Sequence, residues 1–103
     1  MGLDLVILGA DGRPTRGLSL TVEDHDHLMR LACGTRNSIW LRMSDYYSDT
    51  EFAHFELDQL IAEAEAQRAL VPYDDRLAKF LSEIVALATE AKGENQHLVV
   101  IAD

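Results

Sequence analysis

Apolar and polar positions follow two different periods along this chain, one at its ends and one in its middle. Leu3-Asp4-Leu5-Val6-Ile7-Leu8 is short and aliphatic, and it runs into the turn-forming cluster Gly9-Ala10-Asp11-Gly12. His97-Leu98-Val99-Val100-Ile101 is a second run of the same kind. Isolated apolar strands are marginal in water, so these two are expected to pair with each other in one small antiparallel sheet. Gly17-Leu18-Ser19-Leu20 is a third candidate strand, forming a hairpin with the first through the loop from Asp11 to Arg16.

Between the ends the period becomes helical. Thr21 followed by Asp24 resembles a capping box. It predicts a helix from Val22 to Cys33 with Val22, His25, Leu28, Met29 and Ala32 on one face and Gly34 as its stop. Residues 38–44 are ambiguous. Ile39, Leu41 and Met43 alternate as in a strand, Trp40 breaks the alternation, and a short helix fits equally well. Leu57, Leu60, Ile61 and Ala64 form the next helical stripe, which fades at Arg68 and is ended by Pro72. Asp74 can cap a following helix with Leu77, Phe80, Leu81, Ile84, Ala88 and Ala91 on its buried face. Asp75 and Lys79 stand four apart in the favourable order, and Lys92-Gly93 closes the helix. These last two helices make an αα-hairpin. The fold class read from the pattern is α+β, a single domain over residues 1–103: a small antiparallel sheet of the terminal strands, covered by about three helices.

Composition narrows the function. A chain of 103 residues holds one core, and its formal net charge of −9 is the opposite of what a phosphate-backbone binder needs. The one cysteine, Cys33, excludes an internal disulfide and points to a reducing compartment. Its place at a helix C-terminus disfavours the thiolate, so a buried structural role is expected for it, not a nucleophile's. No basic start precedes the first apolar run, Val6 stands where a myristoylation motif wants Ser or Thr, and no apolar run reaches a bilayer's span. The expected location is cytoplasmic, with no membrane partner.

Several clusters invite a chemical reading. Glu23-Asp24-His25-Asp26-His27 gathers ligand-type side chains, which His54, Asp45 or Asp49 could join. On a helix, however, residues two apart point about 200° from each other, so His25 and His27 do not share a metal easily. Gly9-Ala10-Asp11-Gly12 lacks the spacing of a phosphate loop and reads as a turn. No catalytic or cofactor motif occurs, so neither enzymatic activity nor a cofactor is expected. The most unusual stretch is Ser44-Asp45-Tyr46-Tyr47-Ser48-Asp49-Thr50-Glu51-Phe52, two adjacent tyrosines among acids and hydroxyls. It fails the EF-hand pattern. Tyrosines inside an acidic field suit a protein-binding surface, with aromatic anchors and a charged rim. Residues 51–70 add five acids, Glu51, Glu56, Asp58, Glu63 and Glu65, against one base, Arg68.

The start Met1-Gly2-Leu3-Asp4-Leu5, the centre Leu41-x-x-x-Asp45-Tyr46-Tyr47-x-Asp49-x-Glu51-Phe52 and the end Val100-Ile101-Ala102-Asp103 resemble a set of small acidic bacterial proteins of unassigned function. In size, acidity and absence of a catalytic signature the chain is also similar to toxin-immunity proteins, a similarity of profile that carries over no residue.

The function expected from the sequence is an acidic protein-binding module, specifically an immunity-type inhibitor of a basic bacterial toxin or nuclease. Asp45, Tyr46, Tyr47, Asp49 and Glu51 would contact the partner, and Glu56, Glu63 and Glu65 would steer it. The alternatives are a small metal-dependent enzyme using His25, Asp26 and His27, or a homo-oligomeric accessory protein.

Overall fold

The computed structural model describes residues 3–8, 11–34, 38–44, 49–71 and 75–102. Four strands form one antiparallel sheet: β1 (Leu3–Leu8), β2 (Pro14–Leu20), β3 (Thr50–Phe52) and β4 (Leu98–Ala102), in the order β2-β1-β4-β3. The terminal strands pair as the pattern predicts, with Leu5 opposite Val100 and Ile7 opposite Leu98. Alternation then sorts the side chains. Leu3, Leu5, Ile7, Phe52, Leu98 and Val100 are all fully buried on the face that meets the helices. Asp4, Val6, Leu8, Val99 and Ile101 point the other way, and of these only Val6 is buried.

The hairpin from β1 to β2 turns at Asp11, whose carboxylate accepts from the Arg13 amide at 3.0 Å. Gly12 follows with a φ of 78°, a conformation that glycine adopts without steric cost. β2 is longer than expected from the pattern, beginning at Pro14 instead of Gly17. Gly17 is needed for packing, because a Cβ there would stand 2.9 Å from Val6 Cγ1 and 3.2 Å from the Leu5 carbonyl oxygen.

Helix α1 (Val22–Cys33) has the predicted cap. Thr21 Oγ1 accepts from the Asp24 amide at 3.1 Å, and Asp24 accepts in return from the Thr21 amide at 3.4 Å. The predicted face is correct at His25, Leu28 and Ala32. Val22 is corrected: it is 60% exposed, since the first helical residue precedes the turn that packs on the core. Cys33 is corrected too, lying exposed at the last position of the helix.

Helices α2 (Leu57–Leu70) and α3 (Asp75–Gly93) pack along each other, and every predicted core position of α3 is buried. The stripe of α2 ends where Arg68 suggests, with Arg68, Ala69 and Leu70 all exposed. Its last buried position is a polar residue, Gln67. α3 ends in a Schellman motif: Gln96 N donates to Ala91 O at 2.9 Å and Asn95 N to Lys92 O at 3.2 Å. Its left-handed residue is Asn95, with φ 60°, and not the predicted Gly93. Asn is the other residue that tolerates this conformation. The expected stop at Pro72 and cap at Asp74 lie outside the described residues, as does the side chain of Asp75.

The ambiguous stretch 38–44 is a 3-10 turn, Ile39–Met43. β3 is a further correction, since the acids and hydroxyls around it hide a three-residue edge strand.

Candidate interaction surface

The corner formed by the 3-10 turn Ile39–Met43, β3 and a second 3-10 turn, His54–Glu56, carries most of the predicted site. Its inner side is a polar scaffold. Ser38 caps the first turn, its hydroxyl accepting from the Trp40 amide at 3.2 Å and donating to the Glu63 carboxylate. The same carboxylate accepts from the Ile39 amide at 2.9 Å and from Gln67 Nε2 at 3.1 Å. Gln67 Oε1 in turn accepts from Trp40 Nε1 at 2.7 Å. Helix α2 thereby presents a Glu and a Gln, four residues apart and on one face, to a turn about 25 residues earlier. Trp40 meets Phe52 edge to face, with ring centroids 5.9 Å apart at 80°.

The outer side is built on Arg42. Its guanidinium bonds the Glu56 carboxylate, reaches the Glu51 carbonyl oxygen at 3.3 Å and lies 5.8 Å from the Phe52 ring centroid. Glu56 also accepts from the Ala53 amide at 3.1 Å. The Arg42 hydrogen bond holds the Glu56 carboxyl below its usual range, partly opposed by burial and helped by the Ala53 amide. The Arg42 guanidinium is correspondingly raised, its bond to Glu56 outweighing the opposing burial. A carboxylate whose folded-state pKa is lowered stabilises the fold above its unfolded value, and that contribution is lost as pH falls through the folded value. Glu56→Gln is therefore expected to lower the urea midpoint at neutral pH. The gap to the wild type should close on acidification below the ordinary glutamate range. Arg42 is 45% exposed in its side chain, so screening keeps the effect to about 1 kcal/mol or less. A gap independent of pH would show that the pair does not set the Glu56 charge.

The predicted partner-binding residues divide into distinct roles. Asp45, Tyr46 and Tyr47 lie outside the described residues. Asp49 accepts from the Ala102 amide at 2.7 Å, holding the end of β4. Glu51 is exposed, 3.3 Å from His97 Nδ1. Glu56 and Glu63 are engaged within the fold as described, whereas Glu65 is exposed on α2. Two apolar side chains that the sequence reading passed over complete the corner. Phe55 is 84% exposed and Leu41 46%, each adjacent in the chain to a member of the Arg42–Glu56 pair. An aromatic just before the Leu57 stripe looks like part of the helix face, which is why Phe55 gave no signal of its own.

The metal-ligand candidates are dispersed. His25 is buried, with Nε2 on the Met43 carbonyl, while Asp26 pairs with Arg30 at 2.9 Å. His27 is half-buried, and His54, at the start of the second 3-10 turn, contacts the Lys92 carbonyl oxygen at 3.3 Å. Among the described residues no three His, Cys, Asp or Glu side chains converge to hold a metal ion. No helix among them is long and apolar enough to cross a membrane.

Comparison with protein-family models, curated proteins and solved structures finds no match to this chain.

Proposed function

We propose that this chain is an acidic protein-binding module that docks a basic partner on the corner of Leu41, Glu51 and Phe55, with Asp45, Tyr46 and Tyr47 as further partner contacts. The observation that carries the reading is Phe55. An aromatic side chain 84% exposed on a rigidly tied turn, in a chain of net charge −9, is an anchor without a pocket. The Arg42–Glu56 bond and the Asp49 and Glu63 hydrogen bonds hold its surroundings, so little ordering is needed on binding. Glu51 and Glu65 remain as exposed charges that speed encounter with a cationic protein. In its most specific form the module is an immunity-type inhibitor that covers the active site of a basic toxin or nuclease.

The test is affinity capture from an extract of the source organism with the tagged chain, alongside the Phe55→Ala and Tyr46→Ala/Tyr47→Ala variants. One basic protein near one-to-one is expected, released by salt and reduced about tenfold or more by Phe55→Ala. That substitution should move the melting temperature little, since exposed positions typically stay within about 0.5 kcal/mol. Capture unchanged in both variants would place the contact elsewhere, and a chain that retains no protein would remove the reading.

A further inference from the structure

A four-stranded sheet has two edges, and the fold treats them differently. On the β3 side the edge is only three residues long. Its Glu51 carbonyl is taken by Arg42, and the neighbouring Ala102 amide by Asp49. On the β2 side seven residues, Pro14–Leu20, stand at the edge with most of their surface exposed. Beyond the ladder with β1, no described residue hydrogen-bonds the backbone of residues 14–19. Uncovered edges are normally blunted, because they pair readily with another chain.

The surroundings of this edge are shaped for a strand. Between β2 and α3 runs a groove of about 260 Å³ lined by Arg16, Gly17, Leu18, Glu83, Ala86 and Leu87. A second groove continues it past Leu18 and Glu83 to Lys79 and Phe80. On the opposite face of the sheet another groove opens over Val6 and Gly17, beside Asp4, where glycine leaves no side chain. Successive side chains of an added strand point to opposite faces, so one row would enter the α3 groove and the other the Gly17 groove.

We infer that β2 is a docking edge for an extended segment of a partner protein, which adds as a fifth strand beside α3 and carries alternating apolar and cationic side chains. The cationic row faces the α3 groove, where its aliphatic stems lie along Leu18, Ala86 and Leu87 and its charge meets one exposed carboxylate, Glu83, outside any ion pair among the described residues, while the apolar row faces Val6 and Gly17. Its one cation, Arg16, is neutralised by Glu90 at 2.7 Å. Lys79 stands at the far end of the slot and fixes which end the partner's cation avoids. A second copy of this chain fits less well. It would bring its own α3 into a slot already walled by α3, and each copy carries −9. The inference is independent of the Phe55 corner, which lies beyond the opposite edge.

The probe is a blocked hexapeptide of alternating Lys and Val, titrated into the ¹⁵N-labelled chain. Saturable amide shifts confined to residues 15–19 and 79–87 are expected, with slowed hydrogen exchange at residues 15–19. A peptide N-methylated at alternate residues removes backbone donors, and an alternating Glu and Val peptide reverses the charge. Each should bind about tenfold more weakly or worse. Glu83→Lys, on the exposed face of α3, should weaken the Lys/Val peptide about tenfold at an unchanged melting temperature. Four results would overturn the inference: no shifts up to millimolar peptide, equal binding of the N-methylated peptide, shifts at Leu41 and Phe55 instead, or light scattering that shows a dimer broken by β2 substitutions. The third would leave the corner reading intact, whereas loss of protein capture by Phe55→Ala has no bearing on β2.

Discussion

Trp40→Ala is expected to destabilise the fold by about 3–5 kcal/mol, the usual cost of removing a large buried aromatic. Against the roughly 5–15 kcal/mol that holds a small domain together, this is a large share of the total. Trp40 is fully buried, fills the space between the Ile39–Met43 turn and the sheet, and contacts Phe52 edge to face. Two losses therefore combine: the ring's packing, and the Nε1 donor to Gln67, which is itself 1% exposed. Trp40→Phe separates them. It keeps most of the packing but leaves Gln67 Oε1 without its donor, at about 1–3 kcal/mol. Urea unfolding followed by circular dichroism gives both values, since Trp40 is the chain's one tryptophan and its fluorescence is lost in each variant. Equal losses in the two variants would mean that the hydrogen bond dominates. No loss in Trp40→Phe would mean that Gln67 finds another partner.

That tryptophan also marks where the sequence stops being legible. β1, β4 and the three helices follow from periodicity and from local caps such as Thr21 and Asp24, because each of those signals lies within a few residues of the element it defines. The turn Ile39–Met43 does not. Ile39, Leu41 and Met43 alternate as in a strand, yet the near-threefold period of a 3-10 turn buries Ile39, Trp40 and Met43 and turns Leu41 outward. Locally only the Ser38 cap separates the two, and the other deciding partners, Glu63 and Gln67, sit on a distant helix. The same holds for β3. Asp49, Thr50 and Glu51 look like solvated loop, and Thr50 to Phe52 become an edge strand only because β4 presents Leu98 to Val100 beside them. Of the candidate site, the acidic character could be read from the sequence, but not which acids are already engaged. Ion pairing and capping are relations between elements, and composition counts Glu63 and Glu65 alike.

Those two glutamates supply the sharpest contrast. Glu63→Ala is expected to cost about 2–4 kcal/mol, because hydrogen bonds to a charged group contribute about 1.5–3 kcal/mol each and three donors lose their acceptor together. They are the Ser38 hydroxyl, the Ile39 amide and Gln67 Nε2, and both Ser38 and Gln67 are buried. Buried donors left without a partner cannot recover the loss fully from water, which is why the cost exceeds that of one surface contact. Glu65, two positions on, projects from another side of α2 and is exposed, so Glu65→Ala should stay within about 0.5 kcal/mol. The two substitutions remove the same charge from the chain, so any loss of long-range attraction for a cationic partner should be similar in both. Only stability should separate them, and equilibrium unfolding of the two variants side by side measures it. Glu63→Gln refines the reading: a neutral amide oxygen can still accept from Ile39, so part of the loss should return. Because Trp40 and Glu63 share Gln67, the Trp40→Phe/Glu63→Ala double variant should lose less than the sum of the single losses. If Glu63→Ala unfolded at the same urea concentration as Glu65→Ala, the carboxylate would be a surface charge and the α2 anchor of the Trp40 turn would have to be abandoned.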